Sequence, residues 1–425
     1  MLYPSRTFLE IFALALAHGL SLFYRSLLSV ISPELSADLA IDESQLGLLS
    51  ATVFITFALM QVPLGIAFDH FGPRRVIATV MLSAVLGAGV LAGASNYWMA
   101  ILGQALIGIG CAPVFTGAMV IIARGYPAER FALLSASVLT FATLGDLLST
   151  APFATLAEYV GWRGGLWIAV SLTALSSVLC WLFIRDSRTL AEGQSQETLL
   201  QLFSGWGELV RVVGLWPIFP LLLGGYAVLL CVRGLWGGPY LADMFGLDPS
   251  GRGIVLMCMS LAMALGTIGY GLAPRVIRSA KLTIGIGSAL AIVSLTILAI
   301  AGSGPLTSAV MLLCVLGLFG ATYPLLMDHC RRFVPPYLMG RGMALLTLIC
   351  FAGVAAVQAG SGALIEAAFI AGWPIQDRYA LLFGALAVTL AVALVAYSFS
   401  QEAPFEAGSM KHSDPLPVNV PVKRS

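Results

Sequence analysis

Apolar residues fill this chain in long runs, and polar residues gather in short breaks between them. A helix needs about 20 apolar residues to cross a bilayer. Runs of that length, bounded by turn signals, predict helices near 7–32, 44–68, 74–95, 97–124, 129–157 and 163–184. A second set falls near 214–241, 250–273, 281–301, 305–329, 341–366 and 378–399. The pattern is six helices, a gap, and six more. It divides the chain into a first bundle (1–184), a polar linker (185–213), a second bundle (214–400) and a tail (401–425). The linker has room for a short surface helix. The tail is polar and proline-rich, a composition expected to stay disordered. No loop is long enough to hold a soluble catalytic domain.

Composition sharpens this picture. The chain is 59% hydrophobic and 10% charged, where soluble domains are about a quarter charged. The fold class is therefore all-α and integral to a membrane, with twelve transmembrane helices. A net charge of +1 gives no case for nucleic acid as a partner. Seven cysteines fall in or at the ends of apolar runs and read as small packing residues, not as disulfides or metal ligands. The first apolar run is too long for a cleaved leader and is read as a retained helix.

Lys and Arg set a direction. If the N-terminus is cytoplasmic, seventeen of the 22 basic residues fall on the inner side. Three (Arg163, Arg252 and Arg378) fall outside, and two lie within helices. Such a bias supports an even number of spans with both termini inside.

The two halves also match each other. Pro33, Asp42, Gly47 and Gly65 correspond to Pro239, Asp248, Gly253 and Gly271, each pair 206 residues apart. An internal six-helix repeat marks a secondary transporter, with its binding site at mid-membrane between the repeats. "GIAFDHFGPRR" (65–75) resembles the signature of the loop between helices 2 and 3 of the major facilitator superfamily, at Gly65, Asp69, Gly72 and Arg74 or Arg75. It departs at His70 and Pro73, and in the second copy Arg275 replaces the carboxylate. The resemblance runs along the whole chain. It implies two pseudo-symmetric six-helix bundles, and a cytoplasmic gate in which Asp69 pairs with basic groups and a helix N-terminus, with Arg74 and Arg75 beside it. The alternative is that these charges only mark a turn. The resemblance also implies a monomer.

Two arginines break the apolar pattern: Arg25 in the first helix and Arg233 in the seventh. An arginine cannot shed its charge, and at the centre of a membrane it costs at least ~2.5 kcal/mol. The repeat places both at similar depth, out of register by two residues, and expects them on opposite walls of a central cavity. A small anion (carboxylate, phosphate ester or similar oxyanion) would accept bidentate hydrogen bonds from both. Similar paired arginines on helices 1 and 7 hold the anion in the organophosphate exchangers and anion symporters of the superfamily. Alternatively, internal carboxylates neutralise both. Asp146 is the candidate: it either pairs with Arg25 permanently or carries a proton and releases Arg25 to substrate. His18, two turns before Arg25, is a candidate anion ligand or proton carrier. Tyr24 and Tyr240 are candidate hydrogen-bond donors to the solute. Gln104 stands where many proton-coupled relatives carry arginine, which weakens the usual proton-driven arrangement.

No nucleotide loop, metal-spaced His/Cys cluster or nucleophile–base motif is present in the sequence, so neither an enzyme nor a cofactor is expected. The reading is a secondary transporter of a small anion, by proton symport or by exchange for a counter-anion, in a bacterial inner membrane. The rivals are a multidrug or metabolite exporter and a transporter-like sensor. "LGDLLSTAP" (144–152) lacks the glycine–proline spacing of drug exporters, which favours uptake or exchange.

Overall fold

The computed structural model describes residues 4–185, 206–277, 279–301, 304–335 and 338–402. Twelve helices among them are long and apolar enough to cross a membrane. They are α1 (Pro4–Leu39), α2 (Glu43–Phe71), α3 (Pro73–Ala92), α4 (Tyr97–Gly125), α5 (Ala128–Leu148) and α6 (Ala151–Phe183). Then follow α7 (Val213–Phe245) and α10 (Leu306–Arg331), both interrupted. The rest are α8 (Pro249–Ile277), α9 (Ala280–Ala301), α11 (Met339–Ile370) and α12 (Ile375–Ser398). The chain is therefore a multi-pass membrane protein. The helix ends follow local chemistry. Asp42 and Gln45 form a reciprocal capping box at the start of α2, and the Asn96 side chain accepts from the Met99 amide at the start of α4, at 3.0 Å.

The boundary between the fifth and sixth spans is less simple than the helix limits suggest. Within α6, Gly161 stands at φ 73, ψ 161, outside helical geometry. The Phe153 ring lies 2.8 Å from where a Cβ on Gly165 would be. Twelve residues of straight helix would hold those positions about 18 Å apart, so the chain doubles back at Gly161. Residues 151–160 continue the fifth span past a break at Ser149–Thr150, and 162–183 form the sixth.

Two more spans are interrupted near mid-depth, which the apolar runs do not announce. In α7 a wide π-turn, Val232–Trp236, joins the helices Phe219–Cys231 and Gly237–Phe245. In α10 the helix stops at Gly320 and resumes at Tyr323.

Contacts between spans use small residues, as membrane helices do. A Cβ on Gly145 of α5 would run into the Gly19 backbone of α1, and one on Gly353 of α11 into the Leu223 backbone of α7. These two crossings are counterparts in the two halves. The halves meet along α2 and α11 and along α1 and α7. They are also joined at the end that carries the α1–α2 and α7–α8 loops. Arg252 pairs there with Glu34. The Ser250 amide and hydroxyl donate to Glu158, at 2.8 and 2.9 Å. The Glu43 amide donates to Glu366 at 3.3 Å. All seven cysteines are free, as their apolar settings imply.

Candidate functional site

Arg25 sits mid-way along α1 and is 9% exposed. Its guanidinium carbon lies 4.2 Å from the centre of the Phe57 ring of α2 and 5.2 Å from that of Phe351 of α11. Nη2 donates to the Ser21 hydroxyl at 3.2 Å, while Nε has no hydrogen-bond partner. Among the described residues, no carboxylate pairs with Arg25. A buried guanidinium with rings over it and most of its N–H groups unused is the unusual feature of this molecule.

The rings around it form a connected set. Phe57 and Phe351 are 4.6 Å apart, centre to centre. Phe351 meets Tyr226 of α7 edge-on at 6.3 Å, and Tyr226 stacks on Tyr323 at 4.7 Å. Tyr323 opens the second segment of α10, immediately after its break. The cluster thus draws on α1, α2, α7, α10 and α11, from both halves.

Arg233 has a different fate. It lies in the π-turn of α7 and is fully buried. Its Nε donates to Ser260 of α8 at 2.6 Å, and its Nη2 to Oδ1 of Asp146 at 3.2 Å. Asp146 also accepts from the Ser26 hydroxyl of α1 at 2.5 Å. Its side chain is 22% exposed. The fifth span breaks three residues after Asp146, and its carbonyl there accepts from the Ser149 hydroxyl at 2.6 Å. Each arginine lies in the matching seam of its half: Arg25 between α1, α2 and α11, Arg233 between α7, α8 and α5.

The sequence expectations change accordingly. Asp146 pairs with Arg233, not with Arg25, because the α5 crossing at Gly145 leaves the carboxylate facing the π-turn. The two arginines are not a matched, unneutralised pair facing one cavity: Arg233 is buried behind a carboxylate and only Arg25 is uncompensated. Tyr24 turns away, its hydroxyl 2.8 Å from that of Thr173 on α6. Tyr240 is fully buried and packs edge-on against Phe245, Tyr379 and Phe383, far along α7 from the ring cluster. His18 is buried against Phe115, ring centres 5.3 Å apart, and its Nδ1 lacks a partner. It lies about 10 Å along α1 from Arg25.

At the loop between α2 and α3, Gly72 (φ 78) ends one helix and begins the next. Arg74 donates from Nε and Nη2 to the Trp181 carbonyl, at 2.9 and 2.6 Å, placing a cation at the negative end of α6. Arg75 is exposed. Gly65 and the Asp69 side chain lie outside the described residues. Asp328 pairs with Arg331 and Arg332 at 2.9 and 2.8 Å.

Sequence reasoning missed Tyr226, Tyr323, Phe57, Phe351, Ser26 and Ser260. It followed charge, and aromatic residues in apolar runs offer no contrast. Gly320 and Pro324, flanking Tyr323, were the available signal of an interrupted helix. An apolar groove of about 330 Å³ between α1, α5 and α6 contains none of the charged residues.

Comparison with known proteins agrees with the architecture. A family model described as Major Facilitator Superfamily matches residues 14–359. The efflux pump ustT of Ustilaginoidea virens is 27% identical over 208 residues, 46% of this chain and 36% of the pump. The MFS-type transporter VdtG of Byssochlamys spectabilis is 22% identical over 282 residues, 64% of this chain and 47% of VdtG. Each match thus spans less than half of the relative's own length. Two solved structures share the fold. One is a bacterial homologue of the human lysosomal transporter Spinster, inward-facing and occupied, with TM-score 0.75 and 16% identity, covering 94% of this chain and 97% of that one. The other is a D-xylose–proton symporter, with TM-score 0.75 and 14% identity, covering 93% and 98%. With a family match over most of its length and twelve membrane-crossing helices, the chain belongs to the Major Facilitator Superfamily and is a membrane transporter rather than an enzyme.

Proposed function

We propose that this transporter carries a small anionic solute by alternating access, and that Arg25 is the residue that holds the anion. One observation carries the reading: Arg25 is buried mid-way along a helix long and apolar enough to cross a membrane, and has no carboxylate partner among the described residues. A charge that deep needs a counter-charge, and a solute that supplies it is bound by that need. The Asp146–Arg233 pair bridges the two halves beside the site. We assign it the coupling role: protonation of Asp146 would weaken the bridge and ease the halves apart. The two six-helix bundles are the moving bodies of a monomer. By the basic-residue bias the tied end faces outward and both termini face the cytoplasm, in an inner membrane.

The direction of transport has a second reading. Curated relatives include an efflux pump, which favours export of an acidic metabolite through the same site. Both directions use Arg25 in the same way. The test is counterflow in proteoliposomes with a panel of labelled anions, run on the native chain, Arg25→Ala and Arg25→Lys. An anion that exchanges only when Arg25 is present supports the reading. Near-normal exchange in Arg25→Ala across the panel overturns it.

A further inference from the structure

We propose that the solute is a flat monoanion, an aromatic or similarly planar carboxylate, selected by the stacked Tyr226–Tyr323 pair beside Arg25. This rests on the reading of Arg25 as the anion's partner.

The first reason is charge. Among the charged side chains at the site, Arg233 and Asp146 cancel, which leaves the single positive charge of Arg25. A monoanion brings the site to neutrality. A phosphate monoester or a dicarboxylate would leave one negative charge uncompensated in a dehydrated place, which is costly.

The second reason is the arrangement of donors. Phe57 and Phe351 lie over the guanidinium, so its free capacity is in its own plane, at Nε and the remaining N–H groups. Two parallel in-plane bonds match a carboxylate. The same fork would also grip a phosphate, so the single positive charge, and not the fork, is what sets a phosphate apart.

The third reason is what stands next to the carboxylate's position. Tyr226 and Tyr323 stack at 27° and are half-buried, whereas Phe57 and Phe351 are only 4% and 5% exposed. The tyrosines are therefore the members of the ring cluster with surface still to offer. Neither phenol has a hydrogen-bond partner among the described residues. A flat ring laid against them gains aromatic contact, and a ring hydroxyl or carbonyl on the solute finds a phenol to pair with.

The experiment uses the full chain, purified in detergent at neutral pH, with binding read by calorimetry and thermal shift. The probes are benzoate, 4-hydroxybenzoate, cyclohexanecarboxylate, acetate, succinate, inorganic phosphate and benzyl alcohol. Benzoate and 4-hydroxybenzoate are expected to bind, with cyclohexanecarboxylate weaker by about fivefold or more and the others not detected. Arg25→Ala should abolish binding of both aryl acids. Tyr323→Phe should keep benzoate binding and remove any advantage of 4-hydroxybenzoate, and Tyr226→Leu should erase the preference for benzoate over cyclohexanecarboxylate. If cyclohexanecarboxylate, acetate, succinate or phosphate binds as well as benzoate and depends on Arg25, the planar monoanion is wrong while the anion reading stands. If no anion binds, or binding survives Arg25→Ala, both fall.

Discussion

At the scale of single residues, Arg25 and Arg233 occupy counterpart seams yet meet opposite company. Arg233 has one carboxylate and one hydroxyl in reach, those of Asp146 and Ser260, and Ser26 donates to the same carboxylate. Arg25 has rings and one serine. Removing one member of a buried ion pair is strongly destabilising, by about 3–5 kcal/mol, because the other charge is stranded. Asp146→Ala should therefore lower the melting temperature of the purified protein far more than Arg25→Ala does. The double variant Asp146→Leu with Arg233→Met should recover much of that loss. A melting series of the four proteins checks this, and a double variant no better than Asp146→Ala would mean the charges are not stranded. Asp146→Asn keeps the hydrogen-bonding shape without the charge. In liposomes it should retain counterflow but lose accumulation driven by a pH gradient. Unchanged gradient-driven accumulation would remove Asp146 from coupling.

At the scale of elements, three spans are broken near the charged residues: the fifth after Asp146, the seventh at Arg233 and the tenth before Tyr323. Breaks free backbone groups and widen turns, and in membranes such irregular backbone is tolerated where protein or a solute path covers it. Transporters place binding groups at interrupted helices for the same reason. The glycines separate two kinds of constraint. Gly161 has open space around a would-be Cβ but stands at φ 73, ψ 161, so Gly161→Ala carries only backbone strain, about 1–3 kcal/mol. Gly145 is helical but lies against the Gly19 backbone, so Gly145→Ala must push α5 off α1 and shift the Asp146 carboxylate. Melting should rank Gly145→Ala below Gly161→Ala, and only the former should impair counterflow. The reverse order would place the tighter constraint at the turn.

At the scale of the whole molecule, the halves are tied at one end by Glu34 to Arg252, by Glu158 to Ser250 and by Glu366 to the Glu43 amide. Two of these carboxylates converge on the first turn of α8, where an anion is favoured. Alternating access requires that these ties break. Neutralising Glu34 and Glu158 together, as glutamines, should raise the population open at that end. The check is the labelling rate of a cysteine placed at Ser29 by a membrane-impermeant maleimide, measured on intact cells with the native cysteines replaced. Labelling should accelerate severalfold in the glutamine variant, and an unchanged rate would mean that other contacts hold this end closed.

By itself, the sequence determined what depends on the solvent and on local chemistry. Runs of about 20 apolar residues can only be membrane helices, because lipid offers the backbone no other hydrogen-bond partner, and twelve such helices are present. The turn between residues 157 and 163, where Gly161 stands, was legible because neighbours a few residues apart settle it. That Arg25 demanded a counter-charge was legible too, since burial of an arginine is costly in any fold. What the tertiary structure decided was pairing. Asp146 lies at a depth that suits either arginine, and only the crossing at Gly145 and the π-turn of α7 bring it to Arg233. The sequence singled out Tyr24 and Tyr240 and passed over Tyr226 and Tyr323. The rotation of each helix against its neighbours, set by contacts hundreds of residues apart, put the first two into packing and the last two beside the charge.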